Sequence, residues 1–158
     1  MDIRVIAVGS LKETYWRGAC AEYLKRLQAY AKVEVVELAD EKAPERLSEA
    51  QRQQVMRKEG ERILSRIRER EVVAALCIDG RAYTSEAFAN WLGEVEQGGN
   101  PLVLVIGGSL GLHECVLKRA QYRLSFSAMT FPHQLCRVIL LEQVYRGYRI
   151  LRNQPYHK

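Results

Sequence analysis

The chain lacks paired cysteines. Cys20, Cys77, Cys115 and Cys136 stand far apart, and none belongs to a CxxC unit. They do not combine with the three histidines into a zinc-type ligand pattern, so no metal is expected. A disulfide-stapled scaffold is excluded on the same ground. Four dispersed thiols read as small buried hydrophobes in a reducing compartment. No apolar run reaches the ~18 residues of a membrane span, and no N-terminal apolar stretch reads as an export signal. The expectation is a cytoplasmic protein with no membrane partner. Internal repeats, low-complexity tracts and linkers are missing too, so residues 1–158 read as a single domain, long enough to bury a proper core.

Acidic charge is scarce at one end. The composition, 47% hydrophobic and 27% charged, is ordinary for a globular protein, and the net charge is only +5. Its distribution is uneven. Residues 117–158 hold Lys118, Arg119, Arg123, Arg137, Arg146, Arg149, Arg152 and Lys158 against the single acid Glu142. That segment is +7, so the 116 residues before it sum to −2. A one-sided basic surface suggests a polyanionic substrate.

Hydrophobic periodicity organises the rest. Ile3–Val8 reads as a short buried strand and Glu13–Ala31 as an amphipathic helix. Val33–Leu38 is a strand, and the helix between the two strands favours a parallel pairing. Residues 41–71 carry nine Lys/Arg and seven Glu around a thin stripe of Leu47, Val55, Ile63 and Ile67, which predicts a solvated helix. Val72–Ile78 is apolar enough for a central strand buried on both faces, with a turn at Asp79-Gly80-Arg81. Thr84 or Ser85 caps a helix over Glu86–Val95. Leu102–Ile106 is another buried strand. A short helix follows at Leu112–Ala120, a strand at Tyr122–Phe126 and a final helix at Pro132–Arg152. The alternation predicts a doubly wound α/β sheet, mostly parallel.

Two irregular segments after buried strands are candidate ligand sites in such a sheet. One is Gly107-Gly108-Ser109-Leu110-Gly111, where Gly107 and Gly108 allow close backbone approach and positive φ. It is neither GxGxxG after the first strand nor a Gly-Lys-Ser/Thr phosphate loop. The other is Ser127–His133. There Ser127 and Thr130 offer hydroxyls, Met129 and Phe131 an apolar floor, and Pro132 a rigid helix start. In the last helix, Glu142 and Arg146 have the spacing of an ion pair. Arg137, Arg146, Arg149 and Arg152 are candidate phosphate contacts. The tail, Pro155-Tyr156-His157-Lys158, either frays or stacks on an unpaired base.

As a set, these segments resemble one family. Ile106–Gly111, Leu124–His133, Arg137-Val138, Glu142–Arg146 and Pro155-Tyr156-His157 are similar to the RlmH family. These SPOUT-superfamily methyltransferases modify a pseudouridine at nitrogen-3 in large-subunit (23S) ribosomal RNA. Val5–Gly9 and Lys58-Glu59-Gly60-Glu61 fit as well, so the resemblance spans the chain. It implies a C-terminal trefoil knot, with knot and cofactor site in roughly 72–158, and S-adenosyl-L-methionine as cofactor. It implies a homodimer whose sites use both chains, acting on the large ribosomal subunit or whole ribosome. It would place Leu76, Gly107, Gly108, Ser127, Ala128, Met129, Thr130, Phe131 and Pro132 around the cofactor. Tyr156, His157 and Arg146 become candidates for assisting or stabilising proton loss, with His133 as an alternative. Arg123, Arg149, Arg152 and Lys158 become candidate RNA contacts. Val138, Ile139, Leu140, Leu141, Val144, Tyr145 and Tyr148 cover more than one face of the last helix, which is a second reason to expect a dimer. The residues alone leave two rivals: a non-catalytic α/β module that binds a nucleotide or RNA, and a flavodoxin-like signalling domain.

Overall fold

The computed structural model describes all of residues 1–158. Five strands and five helices alternate: β1 (Asp2–Val8), α1 (Thr14–Leu27), β2 (Lys32–Leu38), α2 (Glu49–Leu64), β3 (Val72–Ala82), α3 (Ser85–Gln97), β4 (Leu102–Ile106), α4 (Glu114–Arg119), β5 (Tyr122–Ser125) and α5 (His133–Leu151). The sheet order is β2-β1-β4-β3-β5, and every pairing is parallel.

Strand alternation builds two cores. Ile3, Val5 and Ala7 of β1 face one side with Leu102 and Leu104 of β4, under α1, α3 and α5. Ile6, Val8, Val103 and Val105 face the other, under α2 and α4. Val5–Val8 of β1 and all of β4 therefore read as continuous apolar runs because both faces are covered. This is the doubly wound sheet that the alternation predicts. The central strand is β4, fully buried, whereas β3 lies one place from the edge.

Three local expectations change. First, the charged stretch 41–71 is helical only over α2. Ser48 starts it with a capping box: its hydroxyl accepts the Gln51 N–H at 3.2 Å, and the Gln51 side chain accepts the Ser48 N–H at 2.9 Å. Nor is α2 purely solvated, since Glu59, Gly60 and Ile63 are buried. Gly60 is the contact with α4, where an added Cβ would lie 2.9 Å from Cys115 Sγ and 3.3 Å from His113 Cβ. A Gly-to-Ala change inside a helix normally gains about 1 kcal/mol. Here Gly60→Ala is expected to lower the melting temperature instead, and a thermal melt checks the sign.

Second, Asp79-Gly80-Arg81 is not a turn. β3 continues past it, and both Leu76 and Arg81 pair with Leu124 of β5. Residues 77–80 bulge out between these two pairings. Gly80 is required there because a Cβ would meet the Leu124 backbone at 2.8 Å. Third, the apolar faces of α5 are satisfied within one chain. Leu140, Leu141, Val144, Tyr145 and Tyr148 join the core that α5 shares with α1 and α3. The two-faced pattern therefore does not by itself demand a second copy. Thr84 caps α3 by accepting the Ala87 N–H at 3.1 Å, as expected, and Pro132 is the N-cap of α5.

Candidate functional site

β3 leads into α3 on one face of the sheet, and β4 leads into α4 on the other. Adjacent strand ends whose connections part in this way leave a crevice at their carboxyl ends. The crevice is a cleft of about 870 Å³. Its walls are the bulge after Leu76, the glycine loop after Ile106 and the segment after Ser125. Eight of the nine residues expected around a cofactor line it; Ala128 does not. His133 and Cys136, from the first turns of α5, close one side.

Each wall has a local cause. The bulge turns Cys77, Ile78 and Asp79 toward the cleft, a contribution that the expected turn obscured. Ser125 ties the bulge to the last wall: its hydroxyl lies 2.9 Å from the Ile78 carbonyl and 3.1 Å from that of Ser127. Ser127 Oγ accepts the Met129 N–H at 3.1 Å, so this hydroxyl shapes its own loop.

The glycine loop works differently from its first reading. Positive φ is needed at Gly111, at 86°, and at neither Gly107 nor Gly108. The Gly111 N–H closes the loop on the Gly108 carbonyl at 3.1 Å. A Cβ on Gly107 would strike Leu112 at 2.9 Å. A Cβ on Gly108 would point away from the cleft, 3.2 Å from a Glu59 carboxylate oxygen and 3.3 Å from Val8. These glycines let the loop lie flat on α2 and β1. The ligand then meets backbone.

Charge narrows what the cleft accepts. No lysine or arginine lines it, and Asp79 is its one carboxylate. Phosphate sites recruit cations or a longer helix N-terminus, so a phosphate-bearing nucleotide is a poor fit. Burial pushes the His133 imidazole down, and the nearby Arg137 guanidinium adds to this, so the ring is neutral at pH 7. Arg137 itself is not a phosphate contact. It is 2% exposed, pairs with Glu37 at 2.5 Å and donates to the Gly9 carbonyl at 3.2 Å.

The tail does not fray. Tyr156 packs edge-on against Tyr145 with ring centroids 4.9 Å apart, and its hydroxyl donates to Glu142 at 3.1 Å. Burial, followed by that bond, pushes the Tyr156 phenol up to about 12. Arg146 is paired with Glu142 at 2.5 Å, as its spacing predicts. His157 Nδ1 lies 3.2 Å from Arg146 and Nε2 lies 2.8 Å from Glu86. Arginine only donates, so Nδ1 must accept and Nε2–H must donate to the carboxylate. These contacts occupy both ring nitrogens. Arg149 donates to the Tyr30 hydroxyl and to the Pro155 carbonyl, each at 3.0 Å. It is a tether for the tail rather than a free cation. Arg123, Arg152 and Lys158 are exposed and unpaired.

None of Arg146, Tyr156 and His157 lines the cleft of its own chain. Arg146 is ten residues beyond Cys136 on α5, roughly 15 Å along the axis at about 1.5 Å per residue. No three His, Cys, Asp or Glu side chains are grouped to hold a metal ion, and no helix is long and apolar enough to cross a membrane.

Comparison with known proteins matches the sequence to one family. Residues 1–157 match the family described as "Predicted SPOUT methyltransferase". A protein of Bacillus pumilus (strain SAFR-032), named ribosomal RNA large subunit methyltransferase H, is 55% identical over 159 residues, covering all of both chains. A match over nearly every residue, including all three walls of the cleft, leaves one assignment: the chain belongs to the SPOUT methyltransferase family.

Proposed function

We propose that this protein transfers a methyl group from S-adenosyl-L-methionine to nitrogen-3 of a pseudouridine in large-subunit (23S) ribosomal RNA. In this reading it acts in the cytoplasm, as a homodimer, on the large subunit or whole ribosome. One observation carries it. Eight of the nine residues that the resemblance assigns to the cofactor converge on a single cation-free cleft. The cleft volume of about 870 Å³ suits a nucleoside-sized ligand. The absence of lysine and arginine suits one with a sulfonium and no phosphate. The name of the Bacillus relative supports the RNA substrate.

When bound, S-adenosyl-L-methionine supplies a methyl group already activated as an electrophile. The chain's own residues then have two tasks. Leu76, Gly107 and Gly108 and the Ser127–Pro132 segment hold and orient, which is where in-line transfer gains most. Arg146, Tyr156 and His157 meet the nucleobase, whose N–H must be lost. Tyr156, pushed up to about 12, is a donor and not a phenolate at neutral pH. His157, with both nitrogens engaged, positions. Arg146 has the fixed charge to stabilise the developing anion.

These three residues lie away from their own cleft, so a second copy must present them. The exposed apolar side chains of Ile78 and Met129 at the cleft rim support such an interface. The C-terminal trefoil knot belongs to the same proposal. The return of Ser127–Pro132 across the ends of β3 and β4 is consistent with it.

Labelled methyl transfer to ribosomes from cells lacking this protein tests the reading. Incorporation into one pseudouridine is expected; RNA binding without transfer would leave only a binding module. RNA affinity should fall steeply with salt. Arg123→Ala, Arg152→Ala and Lys158→Ala should each flatten the log–log salt slope by about one where the side chain meets a phosphate. Arg149→Ala should instead loosen the tail and lower turnover. An unchanged slope in all three surface variants would move the docking face elsewhere.

A further inference from the structure

Behind the glycine loop stands a buried carboxylate with no ion-pair partner. Glu59 is 5% exposed. Its Oε2 accepts the Glu41 N–H at 3.0 Å, and no protein donor reaches Oε1. The nearby cations are engaged elsewhere: Arg62 and Lys58 both pair with Glu41. Burial pushes the Glu59 carboxyl up and the charges of Asp40 and Glu41 add to this, while the Glu41 N–H and the Arg62 charge oppose it. An unpaired buried carboxylate is costly unless it takes up a proton or a positive charge approaches it. One approach to it is through the loop. The side-chain direction of Gly108 meets both Glu59 oxygens, at 3.2 and 3.3 Å, and the other side of Gly108 is the cleft. No cation of the protein lines that cleft.

We propose that Glu59 is a charge-selecting residue of the cleft, favouring, across the backbone of Gly108, a ligand that carries positive charge over its neutral counterpart. The inference rests on the cofactor reading above. Methyl transfer breaks the S–CH₃ bond and forms N–CH₃. The sulfur keeps the bonding pair and becomes a neutral thioether, and the nitrogen gives up its proton to solvent water. The attraction across Gly108 is therefore present before transfer and gone after it. Glu59 thus helps to hold the charged cofactor and to release the spent one, without touching either.

Calorimetry with three ligands tests this. S-adenosylmethionine carries a sulfonium, sinefungin an ammonium at the same place, and S-adenosylhomocysteine neither. Glu59→Gln keeps the acceptor for the Glu41 N–H and removes the charge. It should weaken both cationic ligands about tenfold, a loss of the size expected for one charge across a partly shielded backbone. The neutral ligand should stay within about twofold. Glu59→Met provides a second neutral side chain of similar length, and Glu59→Asp should restore most of the preference. Melting curves identify any variant that fails to fold. Equal losses for all three ligands, or none for any, overturn the proposal and make Glu59 a packing residue. Binding of none of them to the unmodified protein would remove the cofactor reading, and this inference with it.

Discussion

Deletion of residues 155–158 is expected to lower methyl transfer at least about 100-fold while the fold and the cleft survive, a loss of the size seen when positioned groups are removed. The reason lies in where the tail sits. It crosses α5 and α3 of its own chain, touching Glu142, Arg146 and Glu86, and contributes nothing to the cleft wall. Cofactor affinity should therefore stay within about twofold. Stability should fall modestly, because Tyr156 is half-buried against the core; partial burial of one aromatic corresponds to about 1–2 kcal/mol. Single substitutions divide the roles. His157→Ala should reduce turnover without moving the pH–rate profile, since Arg146 and Glu86 already engage both ring nitrogens. A displaced limb in that profile would make His157 a titrating base instead. Normal methylation by the truncated protein would return the search to His133.

Glu37→Ala should be the most damaging single change outside the cleft. Glu37 is half-exposed and looks dispensable in isolation. Its carboxylate, however, holds Arg137 at 2.5 Å and accepts the Leu11 N–H at 3.1 Å. The Arg137 side chain is only 3% exposed, so removing Glu37 strands a buried cation. Breaking such a pair costs about 3–5 kcal/mol. In a domain of this size that corresponds to a fall of about 10 °C or more in melting temperature. Replacing both partners by apolar residues, Glu37→Leu with Arg137→Met, should recover much of the loss, because the desolvation cost disappears with the pair. A double variant as unstable as the sum of its singles would show that the two side chains act independently. The consequence reaches the site. Arg137 also donates to the Gly9 carbonyl, and Gly9 lies against the His133 ring that closes the cleft.

The linear order of residues was enough to determine the alternation of strands and helices. That information is local. Buried strands show as apolar runs at Val5–Val8 and Leu102–Ile106, and Thr84 and Pro132 each stand immediately before the helix they start. The two site segments were legible for the same reason, since glycine and proline punctuate the chain where regular structure stops. What the sequence could not decide depends on partners far along the chain. The bulge that carries Ile78 and Asp79 into the cleft exists because β5, over forty residues later, pairs twice with one residue of its own. Arg137 reads as a free phosphate-binding cation until Glu37, 100 residues earlier, is brought against it. Gly108 reads as room for a ligand until α2 places Glu59 behind it. Tyr156 and His157 read as a loose end until Glu142 and Glu86 accept their hydrogen bonds. For Arg137, Glu59 and the tail the deciding force is the cost of leaving a charge or a polar group buried without a partner. That cost is set by what tertiary folding brings to the other side.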